Sequence, residues 1–270
     1  MATTVLFKFN SMELVNIGNS QIVKKEKTMT TKENMNTYRT TARVVGVVYL
    51  AGFVVGIVGI GLIQSILGAP NHLSTVSANS MLLAFGAILW LMAVVGDAAH
   101  GVLMFPVLKP HNERIAVGYL AFRIMDAVFI AIMVLFVLLQ IPLGSEYMKA
   151  TAPDASALQA LSTVFAQAQL YAYELGMITL GISGLLLCYT LYRARLVPRW
   201  LAVWGLLGYA IILCGMLSAV MGSGLGDLSS IPGGLWEVFM GVWLIVKGFN
   251  APAIVPQAPR TSTLAEPLVP

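Results

Sequence analysis

The sequence predicts an all-α fold, a six-transmembrane-helix bundle with both termini cytoplasmic. Three observations lead there. The chain is 58% hydrophobic and only 10% charged, whereas a soluble domain carries about 25% charged residues. Six apolar stretches reach the roughly 20 residues that a helix needs to cross about 30 Å of hydrocarbon. Fourteen of the sixteen Lys and Arg fall in the two terminal segments or in the loops after the second and fourth stretches. Basic residues mark the cytoplasmic side, so this distribution fixes six crossings with both ends inside. Helices satisfy every backbone group within the segment, and the alternating ten-residue pattern of a barrel strand is absent.

Taken in order, residues 1–40 are polar and aperiodic, and read as a disordered cytoplasmic tail. No apolar core of a signal peptide lies near Met1. Lys24, Lys25 and Lys27 can touch anionic lipid, and Met29 and Met35 are candidate start residues. The membrane domain covers residues 43–249, with spans at about 44–67, 80–103, 115–141, 168–192, 200–221 and 232–249. Span one carries Gly52, Gly56 and Gly59 in a stripe, and span five carries Gly205, Gly208, Gly215 and Gly222. Small residues at such spacing let helix backbones approach closely. The outer loop 142–167 is the longest between spans. Its second half places Leu158, Leu161, Val164 and Phe165 at helical spacing behind Asp154, a candidate N-cap. Span four is therefore expected to be the lower part of one long helix starting near Ala155. Pro198 opens span five, where its missing N–H costs nothing. Residues 250–270 are proline-rich and read as a second disordered tail.

Six ionisable residues lie inside the spans: Asp97, His100, Arg123, Asp126, Glu174 and Glu237. A charge at a helix centre costs about 2.5–3.5 kcal/mol on insertion scales, so these groups must pair, keep a proton or meet water. Spans two and three are joined by a short loop, and Asp97 and Arg123 stand at matching depth by the ~1.5 Å helical rise. Asp97 is the expected partner of Arg123. Asp126 reaches Arg123 from the same helix, and His100 shares the face of Asp97. The expectation is a buried polar cluster of Asp97, His100, Arg123 and Asp126. Glu174 and Glu237 are outer-half intramembrane acids without a cation at their depth. Each either keeps its proton and donates a hydrogen bond or lines a water-filled vestibule. Arg193, Arg195 and Arg199, flanked by Tyr189, Tyr192, Trp200 and Trp204, form an interfacial topology anchor.

Catalytic signals are weak. Cys188 and Cys214 lie inside spans and support neither a disulfide framework nor a thiolate metal centre. His72 and His111 fall in opposite loops, so a three-histidine zinc site is not expected. No P-loop, H-E-x-x-H or nucleophile elbow occurs. The reading therefore assigns no catalytic residue, no metal and no cofactor. The net charge of +4 is topological and does not indicate nucleic acid. The expected surroundings are the lipid bilayer of the cell membrane, with a homo-oligomer or a membrane partner left open.

Four strings combine in a recognisable order: Arg43 to Leu50 (RVVGVVYL), Phe122 to Asp126 (FRIMD), Leu191 to Leu201 (LYRARLVPRWL), and Pro232 to Glu237 (PGGLWE) leading to Trp243 through Phe249 (WLIVKGF). Over about residues 43–249 the chain resembles domain-of-unknown-function family 4386, prokaryotic multi-pass integral membrane proteins. The family usually has glutamate where this chain has Asp126. The resemblance implies an integral membrane protein with no assigned activity.

The first functional reading is an integral membrane protein of uncharacterised activity with a structural polar cluster. The alternative is a small proton-coupled transporter or channel. A third is an intramembrane enzyme using Asp97 and His100, or Glu174 and Glu237. A cavity running from Glu237 to Asp97 would weigh against purely structural roles.

Overall fold

The computed structural model describes residues 36–222 and 226–250. The expectations for residues 1–35, including Lys24, Lys25, Lys27, Met29 and Met35, and for residues 251–270 lie outside the described residues. Among the described residues the fold is all-α. The helices are α1 (Asn36–Leu67), α2 (His72–Ala78), α3 (Ser80–Leu108), α4 (Glu113–Tyr147), α5 (Ala152–Ala194), α6 (Arg199–Val220) and α7 (Gly226–Val246). All but the short α2 are long and apolar enough to cross a membrane. The molecule is a multi-pass membrane protein and a helical bundle.

Its outer surface is apolar. Val54, Ile57, Leu207 and Val246 are each more than 60% exposed. In water such a surface would be an aggregation liability; in a bilayer it is the lipid face. α5 is the most enclosed helix, with 50% of its apolar window buried against 22% for α1 and for α3.

Several helices run beyond their apolar windows. Residues 36–40, expected in the tail, are helical and belong to α1. α4 passes through Pro142 to Tyr147, and α5 begins at Ala152. The expected outer loop 142–167 is therefore only residues 148–151. Pro142 removes one backbone donor, a loss that membrane helices tolerate when neighbours cover the freed carbonyl. Asp154 is not the N-cap of α5. Thr151 holds that position, and its hydroxyl donates to Asp154 Oδ2 at 2.9 Å within the first turn.

Glycines set the helix spacing. A Cβ at Gly46 would lie 2.5 Å from the Gly241 carbonyl oxygen, so α1 rests directly on α7 near its start. Near its other end a Cβ at Gly59 would lie 3.0 Å from the Gly86 carbonyl oxygen of α3. Between these crossings Gly52 meets nothing within 4 Å. The expected α1 stripe thus packs at Gly59 and faces open space at Gly52. On α6, Gly205 admits Cys188 Sγ and the Trp236 ring, and Gly208 lies against the backbone of Gly233. Gly222 is not part of that packing face; its φ of 93° places it in the turn after α6, with open space around it. Trp236 is fully buried, and its Nε1 donates to the Leu201 carbonyl at 2.7 Å, tying α7 to α6.

Buried apolar side chains form two cores. One gathers Val45, Met104, Leu108, Leu187, Leu191, Leu201 and Leu244. The other gathers Ile63, Val76, Leu83, Met133, Val134 and Val137.

Candidate central cavity

The turn of residues 109–112 brings α3 and α4 together antiparallel, and the Asn112 side chain caps α4 by accepting from the Ile115 N–H at 3.1 Å. Arg123 then faces α3. Its Nη2 donates to Asp97 Oδ1 at 2.5 Å, and its Nη1 reaches Asp126 Oδ2 at 3.5 Å. The Arg123 and Asp126 side chains are 3% and 2% exposed, whereas that of Asp97 is 40% exposed. Gly101 creates the space for the arginine stem, since a Cβ there would lie 3.0 Å from Arg123 Cβ. Gly176 on α5 does the same for Ile130 and Asp126.

His100 is buried beside this network without bonding to it. Its Nδ1 shares a 2.5 Å hydrogen bond with the Tyr119 hydroxyl, and its ring packs on Tyr49 with centroids 4.1 Å apart. Whichever of the two carries the shared proton, Nε2 has no partner among the described residues.

The two acids expected in the outer half part company. Glu237 on α7 accepts a hydrogen bond from the Tyr209 hydroxyl at 2.6 Å. Glu174 on α5 is half-buried with its Oε2 unpartnered. A cavity of about 280 Å³ lies at the centre of the bundle, and residues from all six long helices line it. Asp97, His100, Arg123, Asp126 and Glu237 border it; Glu174 does not. Tyr49, Phe53, Trp90 and Tyr173 supply aromatic wall, with Val94, Ile130 and Ile212. The cavity exists because Gly52 and Gly56 keep the α1 wall thin: a Cβ at Gly56 would meet only Ala93, at 3.7 Å.

Three residues central to this arrangement, Tyr49, Tyr119 and Tyr209, were not singled out in the sequence. Tyr119 precedes Arg123 by one helical turn, a spacing that puts both on one face. A second polar node was also missed. His72, expected in a loop, begins α2, and its Nε2 lies 2.8 Å from Ser162 Oγ. That hydroxyl donates to Gln140 Oε1 at 2.6 Å, and Gln140 Nε2 donates to the Ser162 carbonyl at 3.2 Å. The signal was Gln140 within an apolar run, because a buried amide in a membrane helix is usually bonded to a neighbouring helix.

Arg193, Arg195 and Arg199 are exposed at the α5–α6 turn. Arg195 ends α5 in the left-handed conformation, with φ 55°. Asn250 secures the turn by donating to the carbonyls of Arg195 and Leu196, each at 2.8 Å. The Arg199 guanidinium lies 5.4 Å from the Tyr192 ring centroid. In the α3–α4 turn, partial burial lowers the His111 imidazole below its usual range.

A family model described as Domain of unknown function (DUF4386) matches residues 44–248. No curated protein and no solved structure matches the chain.

Proposed function

The chain belongs to the DUF4386 family, and from that premise we propose that it is a cell-membrane protein, termini cytoplasmic, that holds a small molecule in its central cavity. The carrying observation is that one cavity joins the Asp97–Arg123–Asp126 network to Glu237. A network serving packing alone is best closed, because a void forfeits contacts on every side. Here the charged groups border open space, and intramembrane charges that face cavities mark ligand or ion sites. The basic residues of the α3–α4 and α5–α6 turns support the cytoplasmic orientation.

The ion network also braces the bundle, and its two arginine contacts favour that structural role alongside ligand holding. A continuous transport path is less favoured because the cavity leaves out Glu174.

Gly52→Cys tests the proposal, since its Cβ points into open space. With exposed Cys214 replaced by serine, the variant is treated in vesicles with membrane-impermeant methanethiosulfonates. Modification at Gly52→Cys is expected. A thiol that resists every such reagent in folded protein would mean a sealed void, and the ligand reading would fall.

A further inference from the structure

Four charged side chains border the cavity, and three are acids: Asp97, Asp126 and Glu237 against Arg123. Arg123 is already engaged by both aspartates. Glu237 receives only the Tyr209 hydroxyl, so when ionised it has no cation of its own. Tyr49, Phe53, Trp90 and Tyr173 line the same cavity. Aromatic rings attract a desolvated cation through their quadrupole, by up to about 2 kcal/mol or more when water is excluded. An anionic ligand would meet the acid excess, and a neutral one would leave Glu237 uncompensated.

The wall holds a further unmet group. His100 is 2% exposed and its Nε2 is unpartnered. The size is also selective. At about 280 Å³ the cavity falls just below the ~300–1,000 Å³ of drug-sized pockets.

We propose that the cavity takes a compact organic cation, an ammonium group on a small apolar body, with Glu237 as its counter-ion and the aromatic wall around its positive charge. This deepens the holding-site reading and rests on it.

The test compares two reagents of similar size on Gly52→Cys in the Cys214→Ser background: trimethylammonium-ethyl and sulfonato-ethyl methanethiosulfonate. Rates are normalised to a free thiol in solution. The cation is expected to react at least about tenfold faster than the anion, the ratio that corresponds to ~1.4 kcal/mol. Glu237→Gln keeps an acceptor for Tyr209 but removes the charge, and should bring the ratio close to one. Benzyltrimethylammonium should slow modification of the Glu237 protein, whereas its uncharged isostere neopentylbenzene should not. Equal rates, a faster anion, or equal protection by the isostere would overturn the cation assignment while leaving a reachable cavity. If Glu237→Gln misfolds, the protection experiment alone decides. Failure of both reagents to react would instead remove the holding site itself.

Discussion

Arg123 is held by two carboxylates, and removing it strands both. Taking one partner from a buried ion pair costs about 3–5 kcal/mol, because the remaining charge stays desolvated. Arg123→Ala is therefore expected to lower the yield of monodisperse protein on fluorescence-detected gel filtration. Arg123→Ala/Asp97→Ala should recover part of that loss, leaving only Asp126 without its partner. A double variant no better than the single would show that the Asp97 contact, 2.5 Å long, contributes nothing to the fold. This pairing was legible in the sequence, because a short loop sets neighbouring helices and depth follows from residue number. The partner of Glu237 was not. Tyr209 is neutral and sits on another helix, so neither charge arithmetic nor local spacing points to it.

At the scale of the helix, glycine has two opposite uses here. At Gly184 a Cβ would lie 2.2 Å from the Tyr209 ring carbon Cγ. At Gly61 it would meet nothing. Overpacking a tight crossing costs about 1–3 kcal/mol, while replacing a helical glycine by alanine recovers about 1 kcal/mol of propensity. Gly184→Ala should lower the melting temperature in detergent, and Gly61→Ala should hold or raise it. The reverse order would mean that α5 and α6 do not meet as described. The number and order of the six long helices followed from hydropathy, whereas the short α2 did not. Helix ends did not, because Pro106, Pro142 and Pro232 lie inside helices. Proline reads as a stop in soluble chains, and a bilayer relaxes that rule. Equally, a glycine stripe does not tell a contact from a gap: Gly52 and Gly59 read alike and do opposite things.

For the whole molecule, orientation is the property that the basic turns predict and a reporter can read. A green fluorescent protein fused after Asn250 should fluoresce in cells, and alkaline phosphatase at the same place should stay inactive. An active phosphatase would reverse the topology. The placement of α1 carries a different consequence. It touches α7 at Gly46 and α3 at Gly59, points about 20 Å apart by helical rise, and between them Gly52 leaves open space on the cavity side. A beam answers load where its side is left unfilled. The load here is the bilayer, which tilts a helix longer than its own thickness. Acyl-chain length then becomes a control on the aperture beside Gly52. In the Cys214→Ser background the Gly52→Cys modification rate should change between vesicles of short and long phosphatidylcholines, and an unchanged rate would sink the idea.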